Sequence, residues 1–179
     1  ATKTQLIIEI VLFILLLAAA AYKMNIDYKQ KNGLSVYGVL SFGGVFVLQA
    51  WMSVTAIFIP AGFIHNQVLF TMGIVFMAIG LFGMILGIKQ MGDYKEIFGL
   101  HSSRLLSKGI YHFTRHPVYV GYVLLITGLA MAWWNHYAVI AIISSLFLVY
   151  LLVLVEEAHL ARQFGDEHKE YCLKTRRFL

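Results

Sequence analysis

Charge is what this sequence has least of. Asp, Glu, Lys and Arg make up 13% of its 179 residues, about half the share typical of a water-soluble domain. That shortage excludes an ordinary solvated surface. Cysteine is scarcer still: Cys172 alone excludes an intrachain disulfide and any all-cysteine metal site. The seven histidines supply no metal pair on one helix. His112 and His116 are four apart, but Pro117 argues against a single helix carrying both. No histidine falls inside a long apolar run, which speaks against haem held between spans. Internal repeats, low-complexity tracts and linkers are also missing.

What the chain has instead is grease. Sixty per cent of it is hydrophobic, the mean hydropathy is +0.76, and the apolar residues lie in long runs. Stretches of this kind cross a hydrocarbon core of about 30 Å with about 20 helical residues. Five runs come near that length: 6–22, 36–59, 68–88, 118–134 and 137–155. Their continuity, without two-residue alternation, argues against a β-barrel. Pro60 closes the second run, because the residue before a proline is pushed out of helical geometry. Asn135 and His136 leave room only for a tight turn, so the last two runs form a helical hairpin. Gly43, Gly44, Gly73, Gly80, Gly83 and Gly87 lie within the second and third runs, where small residues let helices pack closely.

The fold class expected is therefore an all-α integral membrane protein: five transmembrane helices in one membrane-embedded domain over 1–179, followed by a C-terminal amphipathic helix. That last helix is read over 156–172, from Leu160, Phe164 and Tyr171 at helical spacing. Gly165 inside it marks a break or a close approach. Every Lys and Arg of the 14 except Lys3 falls on one side of the five runs. The positive-inside rule puts that side in the cytosol, with the N-terminus outside. The net charge of +5 thus reads as membrane topology and not as nucleic-acid binding. The run "LLLAAAAY" has features of a cleaved secretory signal. Cleavage there would leave Lys23, Lys29 and Lys31 outside, against the rule, so it is read as a span.

Polar chemistry gathers in two cytosolic segments, 89–117 and 156–179. The first ends in "GIYHFTRHPVYVG", where Tyr111, Arg115, His116 and Tyr119 crowd around Pro117. A proline suits the first turn of a helix, and such a start offers free backbone N–H groups to a polar ligand. The second segment begins with Glu156 and Glu157. Adjacent helical residues point about 100° apart. Either both carboxylates mark the end of a span at the interface, or one turns inward to meet a cation.

The ordered set G-I-Y, R-H-P-x-Y-x-G, E-E-x-x-L and F-G-x-E-x-x-x-Y, spread over about 100–179 and split by the hairpin, resembles the isoprenylcysteine carboxyl methyltransferase family. The related phospholipid methyltransferases share the pattern. The resemblance implies an integral membrane enzyme that uses S-adenosylmethionine, without a metal, to methylate a lipophilic acceptor in the bilayer. It implies a cytosolic donor pocket lined by Ser103, Arg104, Leu105 and Leu106, by Tyr111, by His116, Pro117, Val118 and Tyr119, and by Glu156. Of these, Tyr111, His116 and Glu156 are the candidate catalytic residues. Glu156 suits the donor's ammonium, and tyrosine faces attract cations. Methyl transfer is a direct displacement, so the protein chiefly aligns the reactants and no covalent nucleophile is needed.

Many similar proteins carry an arginine one turn before the first glutamate, thought to hold the acceptor; here that position is Leu152. Leu152 and Arg115 are the candidate acceptor contacts. A carboxylate acceptor loses its obvious cationic partner, and amine or thiol acceptors gain ground. An amine must also lose a proton, for which a histidine is the plausible base. Two other classes stay open: an NADPH-dependent sterol-reductase-like enzyme, which shares a similar R-H-P region but is usually longer, and a non-catalytic scaffold or transporter subunit.

Overall fold

A computed structural model describes residues 3–31, 33–58, 64, 66–92, 100 and 104–178. Pro60, Ser103 and much of the 89–117 segment lie outside these residues. The described chain is helical: α1 Lys3–Lys31, α2 Val36–Phe58, α3 Gln67–Met91, a 3-10 turn Gly109–His112, α4 Pro117–Ala132 and α5 Ala138–Lys174. Among the described residues no strand forms, and Thr114 and Arg176 make an isolated parallel bridge.

Four of the five helices, α1, α2, α3 and α5, are long and apolar enough to cross a membrane. α4 is equally apolar but has only 16 residues. It is cut short because Trp133, expected inside the span, leaves helical geometry (φ −118°, ψ 56°). Asn135 then organises the turn. Its Oδ1 accepts from the backbone of Tyr137 and Ala138, and its Nδ2 donates to the Ile57 carbonyl at 2.8 Å.

α5 departs from expectation more strongly. α5 carries the fifth span and the C-terminal helix in 37 residues, with the helical run unbroken only over 138–164, about 40 Å at 1.5 Å per residue. Gly165 sits within it at φ 52°, ψ −119°, so the break is present. The close approach is not, since a Cβ there meets nothing within 4 Å. Glu157, His159, His168 and Tyr171 on this extension are buried, so one face packs inward while Arg162, Asp166, Glu167, Lys169 and Glu170 stay exposed.

α3 and α4 pack antiparallel along a stripe of glycines seven residues apart. A Cβ on Gly73 would come 2.6 Å from the Gly128 carbonyl oxygen, and one on Gly80 2.6 Å from that of Gly121. Backbone-to-backbone contact of this kind is what small residues permit in helix pairs. A Cβ on Gly87 would instead meet side chains first, Val118 Cγ2 at 2.7 Å and Pro117 Cγ at 3.3 Å. Gly43 and Gly83 do not pack: a Cβ on either meets nothing within 4 Å, and one on Gly44 only grazes Leu16.

The main core joins α1, α2 and α5 through Phe13, Leu17, Met24, Met52, Leu148 and Leu152. Inside it lies a polar cluster that the apolar run of α2 conceals. Gln49 is fully buried and donates to Ser53 (2.8 Å) and Ser144 (3.2 Å), while Tyr122 donates to Gln49. Buried amides must find partners of this kind. At the other end of α1, Asp27 accepts from the backbone (3.0 Å) and hydroxyl (2.5 Å) of Ser35 and pairs with Lys23. This stitch ties α1 to the start of α2. It also fixes Tyr28, which stacks on His159 with ring centres 4.1 Å apart.

The glycine stripe yields a paired prediction. Gly80→Leu should cost about 1–3 kcal/mol through overpacking, whereas Gly83→Leu should stay within about 0.5 kcal/mol of wild type. Thermal denaturation of the two variants in detergent compares them directly. Equal stability would show that the α3–α4 contact is looser than described.

Candidate active site

The site is assembled where α1 and α3 end and α4 begins. Gly109 opens the 3-10 turn at φ 60°, a region side chains rarely adopt, and the Gln90 amide lies directly against its Cα. Gln90 Oε1 accepts from the Ile110 backbone at 3.2 Å, which pins the turn to the end of α3. Tyr111 is thereby buried beneath the turn. Three residues before Pro117 begins α4, the Thr114 hydroxyl lies along the approach and accepts from the His116 backbone (3.3 Å). His116 is the N-cap residue, yet its imidazole makes no capping bond. The ring points to α5 instead.

There it meets the two glutamates, which the helix sends in different directions. Glu157 turns inward. Its Oε1 lies 3.2 Å from His116 Nε2 and 3.2 Å from Arg115 Nη1. Its Oε2 accepts from Arg177 Nε at 2.9 Å and Nη2 at 2.7 Å. Burial alone would raise this carboxyl. The bonds from His116 and Arg177 and the Arg115 charge outweigh burial and hold it at about 2. Glu156 is 28% exposed, and its ion-pair partner among the described residues is His116 Nδ1 at 4.0 Å.

The tail after α5 folds back to close the arrangement. Arg115 donates its backbone N–H to the Arg176 carbonyl (3.0 Å), Thr114 its hydroxyl to that of Arg177 (3.3 Å), and Thr175 its hydroxyl to that of His112 (3.2 Å). Tyr171 donates to the Tyr111 carbonyl at 2.5 Å. Arg115 also contacts Cys172. The 109–117 segment and the tail are therefore one unit.

Two cavities meet at this unit. A polar one of about 80 Å³ is lined by Arg104, Leu105, Leu106, Tyr111, Arg115, His116 and Glu156, with Met91, Leu160, His168 and Tyr171. A depression of about 400 Å³ over Gln90 and residues 104–109 adjoins it, sharing Arg104, Leu105 and Leu106. A largely apolar cavity of about 360 Å³ lies deeper, among Tyr28, Phe42, Phe46, Met84, Ile88, Tyr119 and Tyr122. It shares Met91, Tyr111, Arg115, His116 and Glu156 with the polar one. On the outside, an apolar groove of about 590 Å³ runs between α4 and α5, with Tyr119 at its inner wall and Phe178 on its rim.

Most of the expected residues are thus together. Arg104, Leu105, Leu106, Tyr111, His116 and Glu156 line the polar cavity, and Pro117, Val118 and Tyr119 the apolar one. Arg115 faces both, although its guanidinium serves Glu157. Leu152 is a correction: it has no exposed surface, packs in the α1–α2–α5 core, and is absent from the walls of all four cavities. Leu152 and Glu156, four residues apart, share a face of α5, but the turn that carries Leu152 is packed against α1 and α2 while the turn that carries Glu156 opens onto the cavities. Sequence reasoning missed Arg177, His168 and Met91. Arg177 read only as a positive-inside charge, since nothing local announces that the tail folds back. Among the described residues no group of three His, Cys, Asp or Glu side chains stands ready to hold a metal.

The clamp on Glu157 has a pH signature. A carboxyl held near 2, against an ordinary value of 4.5, stabilises the folded chain by about 3 kcal/mol once pH exceeds its unfolded value. That contribution is lost as pH falls from about 4.5 toward 2. Thermal denaturation of Glu157→Gln should be less stable near neutrality and flatter across that acid range than wild type. Parallel curves for the two proteins would remove the clamp's role.

No curated protein and no solved structure matches the chain. A family model, phospholipid methyltransferase, matches residues 68–167, more than half of the chain. The matched stretch contains α3, the 3-10 turn, the R-H-P start of α4 and the glutamate pair of α5, which is the larger part of the site, while the clamping tail falls beyond it. With its apolar helices and this match, the chain belongs to the phospholipid methyltransferase family, which includes isoprenylcysteine carboxyl methyltransferase-like membrane methyltransferases.

Proposed function

We propose that this protein transfers a methyl group from S-adenosylmethionine to an amine-bearing lipophilic acceptor that enters from the bilayer. The observation that carries the proposal is the shared wall between a polar and an apolar cavity, formed by Met91, Tyr111, Arg115, His116 and Glu156. A charged donor and a greasy acceptor can each occupy its own phase and meet at that wall.

The donor-side residues fit a nucleoside sulfonium. The polar cavity alone is small, but with the adjoining depression it reaches the size range of ligand pockets, about 300–1,000 Å³. Glu156, without an arginine or lysine partner among the described residues, suits the donor's ammonium, and Tyr111 and Tyr119 suit its positive charge. Bound there, the donor supplies a methyl group on a cationic sulfur, open to in-line attack. The chain's part is to align the reactants and exclude water. On the acceptor side, Phe46, Tyr28 and Tyr119 give an aromatic surface beside a carboxylate, which favours a cationic amine. The groove between α4 and α5 offers an apolar route to Tyr119. With the basic ends of the helices in the cytosol, the polar cavity faces the compartment that holds the donor, and the acceptor comes from the inner leaflet.

Calorimetry on detergent-solubilised protein tests this against a nicotinamide-dependent reductase. S-adenosylhomocysteine should bind and NADPH should not. Glu156→Gln should weaken S-adenosylhomocysteine binding by about 2–5 kcal/mol, the cost of truncating a buried charged partner, while Glu157→Gln should change it little. The reverse preference for NADPH would overturn the assignment. Equal small effects of the two substitutions would return Glu156 to an interfacial role.

A further inference from the structure

The two nitrogens of His116 face different carboxylates, and the difference is chemical. Nε2 lies 3.2 Å from Glu157 Oε1, whereas Nδ1 lies 4.0 Å from Glu156 Oε2, beyond hydrogen-bond reach. Glu157 is immobilised by Arg177 and Arg115 and lines neither cavity. Glu156 lines both. An ionised carboxylate can only accept a hydrogen bond, so the short contact is an N–H donation from Nε2. In the neutral ring, that leaves the lone pair on Nδ1, on the side of the cavities.

We infer that His116 is the general base of the reaction through Nδ1, and that Glu157 is a positioning residue that keeps the ring proton on Nε2. The inference rests on the methyl-transfer reading and deepens it. Its substrate class is a lipid-borne ammonium, which has no lone pair until it loses a proton. That proton passes from the acceptor nitrogen to Nδ1. The freed lone pair forms the N–C bond as the S–C bond of the donor breaks, and the electron pair of that bond stays on sulfur. The products are a methylated ammonium, a neutral thioether and a doubly protonated His116, which then returns its proton to water.

The surroundings suit a ring that gains charge and loses it. Arg115 and Arg177 already more than neutralise Glu157, so an imidazolium is not drawn into a permanent ion pair with it. Glu156 stands near Nδ1 to stabilise the proton once it arrives. His168, which burial pushes down, Arg104, Tyr28, Tyr111, Tyr119, Tyr122 and Tyr171 also line the cavities beside the ring, and Phe178 lies against it.

The test uses the full chain in nanodiscs, with NMR of isotope-labelled histidine and His116→Asn to assign the His116 signal. At alkaline pH the wild-type ring should carry its proton on Nε2, and Glu157→Gln should convert it to a tautomer mixture. Turnover is followed with radiolabelled donor on two probes. Phosphatidylethanolamine presents an amine that must lose a proton; a prenylcysteine presents a carboxylate that need not. Glu157→Gln should lower kcat on the amine about a hundredfold, leave KM unchanged, and displace the ascending limb of the pH–rate profile. Glu157→Asp should restore part of the rate, and the carboxylate probe should be spared. Arg177→Gln, which loosens the clamp and keeps the carboxylate, should move tautomer and rate in the same direction and serves if Glu157→Gln does not fold. A wild-type proton on Nδ1, an unchanged tautomer in both variants, or equal losses on the two probes would overturn the inference. Failure of the wild type to bind S-adenosylhomocysteine would sink the methyl-transfer reading instead, and the tautomer would still decide what Glu157 does.

Discussion

The carboxylate of Glu157 is the point on which the site depends. Three segments far apart in sequence converge there: Arg115 and His116 from the approach to α4, Glu157 itself from α5, and Arg177 from the tail. A carboxylate with one-tenth of its surface exposed is costly unless its lone pairs are used. Here both oxygens accept from cationic or ring N–H groups. Removing any one partner leaves a hydrogen-bonding group of the cluster unpaired, so the cluster couples the helix start, the long helix and the tail into a single unit.

That coupling explains the shape of the motifs. In R-H-P-x-Y-x-G, the first three residues orient the ring and start the helix. The tyrosine, Tyr119, stands between the inner cavity and the lipid-side groove. The glycine, Gly121, acts through packing alone. It lets α4 touch α3 at Gly80 and so sets where His116 sits relative to Met91. G-I-Y is read in the same way, with Gly109 making room for Gln90 so that Tyr111 can be buried. F-G-x-E-x-x-x-Y ends in Tyr171, whose hydroxyl reaches back to the Tyr111 carbonyl. Half of each motif is packing that holds the other half in place.

This division also marks what sequence could disclose. Helix existence and the hairpin were legible because each depends on local composition, whereas of the glycines named in α2 and α3 only Gly73, Gly80 and Gly87 pack closely. Tyr111, His116 and Glu156 were legible because they crowd around Pro117 or end the last apolar run, whereas Arg104, Leu105 and Leu106 came only from the family resemblance. Helix limits were not legible. α4 stops early because Trp133 gives up helical geometry for the Asn135 turn, and an apolar count cannot register that. The burial of Leu152 was lost for a similar reason: it shares a face with Glu156, but how far along that face the cavity reaches depends on where α1 and α2 pack. Arg177 was hidden most deeply, since its partner lies 20 residues away across a reversal of the chain.

The two glutamates show how one helical step divides structural from chemical work. About 100° of rotation separates them. That rotation sends Glu157 into the clamp and leaves Glu156 facing both cavities with a carboxylate close to neither arginine of the clamp. Exchanging their environments would give a site with a neutralised cavity and an unpaired buried charge, which is costly on both counts. The ordering is enforced from outside the pair. α5 is held in rotation by Leu148 and Leu152 against α1 and α2, and by His159 stacked on Tyr28. The apolar core therefore sets which glutamate is available to a ligand, and the packing of Leu152, read first as a candidate acceptor contact, acts on the chemistry by orienting the helix that carries it.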